Sequence, residues 1–370
     1  MKKFRLVTKL ILVGTVTMAL PLIIIGSIAV HNSSKALQAL EYEQLAGTTK
    51  ALGDGIDNVL KGEIKLVKDL SVGNATIAAA TAVAEKGAEG ASEETDSLNQ
   101  ELARFKDTKG LGEDYQVIIA VGADGKIIAA SSKNYIGVSI ADRQYFKDAL
   151  SGRAHIGQVG VNKVSGKPFV PVAAPIYSAD SRIVGVISNT LDIGFLDDLI
   201  DKTKIGTTGY AFVTNKAGVV IAHPNKKHIL SLDMTKLAGM EAISAKMTSG
   251  QAGVSGYRFD GIDKSSGYAP VPLTGWSVAL TLPDEEFLAS AHAVRNIVLI
   301  VGIIFFIAAF VLYLFFARSI SVPVTKIVEN LNGGSNQVAA AATQISASSQ
   351  SLAEGAAEQA SGIEETSSSL

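Results

Sequence analysis

Two uncharged apolar runs constrain this 370-residue chain more than any other feature. The first, Leu10 to Val30, is 21 residues long and follows Lys2, Lys3, Arg5 and Lys9. The second, Ile297 to Ala317, is also 21 residues long and precedes Arg318 and Lys326. A helix of about 20 apolar residues crosses the roughly 30 Å hydrocarbon layer of a bilayer. Both basic flanks favour the cytoplasmic side, so the chain is expected to leave the cytoplasm through 10–30 and return through 297–317. Residues 31–295 are then extracytoplasmic. A cleaved leader is the competing reading of the first run, because Ser27, Ile28 and Ala29 form a small-residue cleavage pattern, although the run exceeds a usual leader core.

Composition agrees with a membrane protein: 47% of the residues are hydrophobic and only 18% are charged. A net charge of −2 gives no electrostatic case for a nucleic-acid partner. The absence of cysteine excludes disulfides, thiolate metal sites and cysteine nucleophiles.

Between the spans the apolar periodicity changes. Leu37, Leu45, Leu52, Ile56, Val59, Ile64, Val67 and Leu70 recur mostly at intervals of three, four and seven, which predicts a long helix. Its Ala-rich continuation is expected to break between Gly87 and Ser92 and to resume to Phe105. Then "YQVIIAVGADGKIIAASS", Tyr115 to Ser132, reads as two strands around a Gly/Asp turn. Offset by 93 residues, "VIIAVGADGKIIA" (Val117 to Ala129) aligns without gaps on "YAFVTNKAGVVIA" (Tyr210 to Ala222), with Gly125 over Gly218 and Ile128 over Ile221. Each copy is followed by further strand-like runs, which points to two similar α+β modules in tandem; chance similarity of hairpins is the alternative.

These strings carry a family likeness. "ADRQYFKDALSG" and "KVSGKPFVPVAAPI" in the first module, with "GTTGYAFVTNKAGVVIAHP" and "TGWSVALTLP" in the second, resemble the double Cache, tandem PAS-like, sensor domain of bacterial transmembrane receptors. The resemblance covers roughly residues 35–285 and implies a ligand in the membrane-distal module. Amino-acid-binding members show an R-x-W-Y pattern, the Arg for the ligand carboxylate, and a later Asp for its ammonium. Here Arg143, Tyr145, Phe146 and Asp192 take those places, while Gly160 and Asn162 stand where a Tyr and an Asp are common. The chemistry is sound on its own terms, since a guanidinium gives a carboxylate two parallel hydrogen bonds and a carboxylate matches an ammonium. The departures leave a small carboxylate without an amine as a competitor. Arg143 could instead cap a helix or pair with Asp142 or Asp148, and Asp192 could cap the helix starting near Gly194.

No pattern argues for catalysis, a cofactor or a metal. "GVNKVSGKP" misses the phosphate-binding loop by one residue and carries Pro168 where a Ser or Thr is required. His223 and His228 flank "PNKK" with no helical face to bring them together.

Beyond Arg318, Val324, Leu331, Val338, Ile345 and Leu352 fall every seven residues. Val328, Ser335, Ala342, Ser349, Ala356, Ile363 and Leu370 form a second stripe four residues on. Two such stripes predict a coiled coil; an Ala/Ser-rich linker would not keep that phase. The tail resembles the start of the signalling helix of methyl-accepting chemotaxis proteins. Their adaptation sites place a Glu or Gln pair between small residues, as in "ASGIEETSSS", so the resemblance implies methylation at Glu364 and Glu365, with Glu358 one heptad before Glu365. Methylation removes a charge, relieving repulsion between acidic helices and biasing their packing. Solvated surface glutamates are the plain alternative. Only "ARSISVPVTKIVENL" resembles the first helix of a HAMP relay, and the contact tip and return helix of the family do not follow, so the likeness implies a longer protein.

The expected architecture is an α+β ectodomain, a long N-terminal helix plus two tandem PAS-like antiparallel-sheet modules, between two transmembrane helices and ahead of an α-helical coiled coil. The expected segments are a cytoplasmic 1–9, a span at 10–30 and a sensor at 31–295. Within the sensor, 31–110 is the long helix, 111–200 the membrane-distal module and 201–285 the membrane-proximal one. A span at 297–317, an abbreviated HAMP-like stretch at 318–334 and the signalling coiled coil at 335–370 follow. The implied function is a homodimeric inner-membrane chemoreceptor, not an enzyme, for an amino acid or small carboxylate. Its implied partners are a methyltransferase, a methylesterase, a coupling protein and a kinase. A sensor histidine kinase or cyclase with the same ectodomain is the rival, weakened because no His follows His292.

Overall fold

The computed structural model describes residues 3–110, 112 and 114–369, with side chains from residue 8 onward. Lys2 of the basic flank and Leu370 of the second heptad stripe therefore lie outside the described residues. The chain divides into two compact units, Lys35–His292 and the pair of segments Met1–Ser34 and Ala293–Leu370.

The helix α1 (Lys3–Ser71) continues through Pro21, and its residues from Lys35 onward belong to the first unit. The stretch read as one long helix over 31–110 is three helices: α1, α2 (Asn74–Gly90) and α3 (Ser92–Asp107). The first break, at Val72 and Gly73, has no strong sequence signal. The second falls where expected, with Gly87 at φ 74°, a left-handed conformation that costs glycine nothing.

The first module comprises β1 (Tyr115–Gly122), β2 (Ile127–Ala130), α4 (Gln144–Leu150), β3 (His155–Ile156), β4 (Gly160–Val161), β5 (Pro168–Tyr177), β6 (Ile183–Asp192) and α5 (Gly194–Lys202). The second comprises β7 (Tyr210–Thr214), β8 (Val220–Ala222), α6 (Glu241–Thr248), β9 (Gly253–Phe259), β10 (Ile262–Val271), β11 (Trp276–Pro283) and α7 (Asp284–Phe287). Every pairing is antiparallel, and the orders β2-β1-β6-β5-β3 and β8-β7-β11-β10-β9 are the same path; β4 also pairs with β5.

The 93-residue repeat is physical. Gly125 and Gly218 hold φ 82° and 85° in matching turns. The register slips at Ala120/Val121 in one hairpin and at Val213/Thr214 in the other, the same step of each. Short 3-10 turns follow at Lys133–Tyr135 and Lys226–His228.

Strand alternation assigns each sheet two buried faces, which is why the hairpin strands read as nearly continuous apolar runs. Ile118 and Ala120 of β1, with Val213 of β7 and Leu280 of β11, join Leu45, Ile56 and Leu60 of α1 in one core shared by both modules. The opposite faces form separate clusters, Val117, Ile119, Tyr145, Phe146 and Phe169 in the first module and Phe212, Met234, Met240, Tyr257 and Tyr268 in the second.

In the other unit, α8 (Ala289–Ser368) is one continuous helix through Pro323, with no turn in 318–334. The Tyr313 hydroxyl donates to the Leu10 carbonyl at 2.6 Å, and its ring lies where a side chain on Gly14 would be. The apolar parts of α1 and α8 are long and apolar enough to cross a membrane.

Candidate ligand site

The outer face of the first sheet, roofed by α4 and the 157–167 loop, encloses a cavity of about 30 Å³. Arg143, Tyr145 and Asn162 line it together with Tyr135, Phe169 and Thr190. The floor is β1, whose Val117 and Ile119 point outward in alternation with the shared-core residues.

Arg143 immediately precedes α4 and is half-buried; its Nη2 donates to the Val161 carbonyl at 3.1 Å. Because that bond uses one nitrogen of a five-donor fork, the guanidinium keeps further donors at the cavity. It forms no ion pair with Asp142 or Asp148. Asp142 binds Lys163 at 2.8 Å, which holds its carboxyl below the usual range, and His155 lies 3.4 Å from Asp148.

Tyr145 is buried, its ring edge-on to Phe169 at 6.3 Å, and burial pushes its hydroxyl up to about 12. Among the described residues nothing hydrogen-bonds that hydroxyl, so it is a neutral donor at any physiological pH. Phe146 does not reach the cavity; it is 3% exposed and packs with Ala149 under the helix. The two aromatic positions therefore divide, one facing the cavity and one anchoring α4.

Asn162 is 5% exposed and its polar atoms are fully engaged. Its Oδ1 accepts the Val164 and Ser165 N–H groups at 2.9 and 3.2 Å, and its Nδ2 donates to Gln116 Oε1 at 3.0 Å and to the Tyr135 hydroxyl at 3.3 Å. It pins the loop that roofs the cavity. Asp192 stands outside the lining. Its Oδ1 accepts the Gly194 N–H at 2.9 Å at the start of α5, and its Oδ2 accepts Gln116 Nε2 at 3.1 Å. Gln116 thus links Asp192 to Asn162.

Tyr135, Thr190 and Lys163 also line the cavity and Gln116 bonds Asn162 behind it; none of the four was singled out from the sequence. Thr190 was within reach of strand logic, since it shares a face of β6 with Asp192 two residues on. Tyr135 had no local signal, only its position in the loop after a hairpin. Gly157 is fixed by close approach: a side chain there would meet Tyr145 Cβ at 2.6 Å.

The two histidines expected to stay apart come together. The 3-10 turn at Lys226–His228 brings the His228 ring within 4.8 Å of His223, edge to face. Among the described residues no group of three His, Cys, Asp or Glu side chains is placed to hold a metal.

Paired antiparallel sheets hung on one long helix, each with a small cavity on its outer face, define a tandem-module sensor fold. The chain belongs to the Cache domain family, whose double Cache model matches residues 33–291. Among curated proteins, "Methyl-accepting chemotaxis protein McpB" of Bacillus subtilis is 27% identical over 213 residues, covering 56% of this chain and 30% of that protein. The chain spans less than half the length of the curated relatives it matches. Among solved structures, the ligand-binding domain of Campylobacter jejuni chemoreceptor Tlp3 in complex with L-norvaline superposes with a TM-score of 0.52 at 13% identity, covering 68% of this chain and 94% of that one. The extracellular domain of the proposed histidine kinase mmHK1S-Z2 gives 0.52 at 15% identity, covering 67% and 99%. These likenesses establish the fold.

Proposed function

We propose that this chain is the sensor-bearing part of a bacterial chemotaxis receptor that binds an amino acid or small carboxylate in the first-module cavity. The observation that carries the reading is the convergence of Arg143, Tyr145 and Asn162 on one enclosed space in a Cache fold. The guanidinium takes the carboxylate, Tyr145 adds a neutral donor, and Phe169 excludes water. Asp192 meets that space only through Gln116, so an amine on the ligand is bound less directly than its carboxylate.

The spans at 10–30 and 297–317 hold the protein in the inner membrane, with both termini cytoplasmic. Their outward side chains support this: Ile23 is 69% exposed, Phe305 65% and Phe315 72%. The tail stripe Leu331, Val338, Ile345 and Leu352, 66–77% exposed, calls for a second helix, which a homodimer supplies. Methylation of Glu358, Glu364 and Glu365 would tune that packing for a coupling protein and kinase, under the control of a methyltransferase and a methylesterase. The relatives named methyl-accepting chemotaxis proteins support this reading; the histidine kinase or cyclase alternative rests on a shared ectodomain fold alone.

The test is a thermal-shift screen of the full chain in nanodiscs against amino acids, organic acids and amines. Arg143→Ala is expected to weaken the best ligand about thirtyfold, equivalent to about 2 kcal/mol for a charge-assisted hydrogen-bonded pair. If no ligand in the screen loses affinity in Arg143→Ala, the site falls. For the tail, mass spectrometry after co-expression with a receptor methyltransferase should find added methyl on the peptide containing Glu364 and Glu365.

A further inference from the structure

The second module carries a charged group that the first-module site does not use. Lys264, on β10, is only 8% exposed, yet among the described residues it has no carboxylate partner. Its Nζ donates to the Tyr210 hydroxyl at 3.1 Å and lies 4.9 Å from the Tyr210 ring and 5.5 Å from that of Phe259. One neutral hydrogen bond and two ring faces compensate only part of what an ammonium loses on leaving water. Two of its three N–H donors remain for a ligand.

Tyr210 and Phe259 also line a cavity of about 20 Å³, on the outer face of the second sheet, with Phe212, His223, Met234 and Met240. His223 adds a second donor. Its Nδ1 accepts the Asn225 N–H at 2.8 Å, and burial lowers its pKa to about 4, so at neutral pH its single proton is on Nε2. The walls of the space thus offer the Tyr210 phenol and the His223 imidazole N–H among thioether and phenyl groups. The Lys264 ammonium, which does not itself line the space, stands behind Tyr210 and Phe259. A space of this size holds about one water, so occupancy requires the walls to yield, as the flexible methionine side chains allow.

We infer that the second module holds its own site for a small carboxylate with a short apolar tail, the carboxylate on Lys264 and His223 and the tail against Met234, Met240 and Phe212. The site is separate from the one proposed around Arg143 and does not depend on it.

The experiment uses sodium propionate on the full chain in nanodiscs, with sodium chloride at equal concentration as the plain-anion control. Propionate should raise the melting temperature of the parent and of Arg143→Ala alike, chloride should not, and Lys264→Met should weaken the apparent affinity at least tenfold. In the unmutated chain with methyl-13C methionine, the Met234 and Met240 signals should move with propionate while the other three methionines stay still. That spectrum decides the matter even where Lys264→Met does not fold. No parental response, an equal response to chloride, unmoved Met234 and Met240 signals, or a loss confined to Arg143→Ala would each overturn the proposal.

Discussion

The two modules share strand order, turn geometry and the bulge in the first hairpin, but differ at the edge strand. In the second module, β9 runs seven residues, all paired with β10 from Gly253 to Phe259. In the first, the same edge is reduced to two strands of two residues each, β3 and β4, both paired with β5, and the chain leaves the ladder between them and again in the turn from Asn162 to Lys167. The released loop folds over the sheet and is fastened there by Asn162. A continuous ladder satisfies its own N–H and C=O groups and leaves the cavity roofed only by side chains. An interrupted ladder needs side-chain hydrogen bonds in their place, and those bonds bring polar groups to the cavity.

The modules also dock differently on the helices, and the largest predicted effect breaks that difference. The second module sits directly on α1, where a side chain at Gly267 would meet the Leu45 carbonyl oxygen at 2.7 Å and Thr49 Oγ1 at 2.5 Å. Gly267→Val is expected to cost stability at the upper end of about 1–3 kcal/mol, because a helix backbone must move to admit the new side chain. The first module is cushioned by α2, with Ala79 and Ala80 in the shared core, and by Asn99 of α3, which accepts the Ala130 N–H at 2.8 Å. Chemical denaturation of Gly267→Val checks this; an unchanged midpoint would show that α1 is not the rigid support of the second module.

Next in size is Asn162→Ala. It removes the acceptor of two loop N–H groups and the donor to Gln116, at a cost of about 2 kcal/mol. Hydrogen exchange should show the 162–167 turn opening while β9 and β10 keep their protection. A uniform rise in exchange across both modules would mean that the loop is not an independent lid.

Much of this was legible in the sequence, for physical reasons that differ by element. The paired hairpins were readable because continuous apolar runs around a glycine turn fit few other structures. Arg143 and Tyr145 were found through a local string, and they meet the cavity because α4 presents that string to the sheet. Phe146 was misplaced by the same string, since adjacent helical residues point about 100° apart and cannot both face one cavity. The Asp192–Gln116–Asn162 chain was hidden because its three members come from two strands and a loop, brought together only by pairing of β1, β5 and β6. The approach of His223 to His228 was missed because a 3-10 turn, not an α-helical face, closes the spacing of five.

A smaller test compares equivalent positions of the repeat. Gly137 holds φ 78° and its counterpart Leu230 holds φ 59°. Nothing lies within 4 Å of a side chain built on Gly137, so Gly137→Ala isolates the backbone cost, about 1 kcal/mol. Leu230 packs against the shared core, so in Leu230→Gly the relief of strain is offset by lost contact and the net change should be near zero. Thermal melts of the two variants check this. A larger loss in Leu230→Gly than in Gly137→Ala would show that packing, not backbone conformation, sets that position.

The smallest effects are electrostatic, and their signs oppose each other. Glu63 of α1 accepts from the Tyr115 hydroxyl at 2.9 Å and from Asn189 Nδ2 at 2.7 Å, yet its burial raises its pKa above 4.5. A carboxyl raised in the folded state contributes stability that is present below the unfolded pKa and lost as pH rises through the folded value. Glu286 of α7 is half-buried and accepts from the Thr208 hydroxyl at 2.6 Å and from the Thr207 and Thr208 N–H groups, which lowers its pKa to about 2. Its contribution is present above pH 4.5 and lost as pH falls toward 2. Glu63→Gln should therefore raise the melting temperature at pH 7 and leave it unchanged near pH 4. Glu286→Gln should lower it at pH 7, with the gap to the parent closing as pH falls toward 2. The α1 carboxylate is a burial cost tolerated for its hydrogen bonds to β1 and β6 of the first module, whereas the second-module carboxylate is a latch on the 205–209 loop. Parallel pH curves for the parent and both variants would remove that distinction.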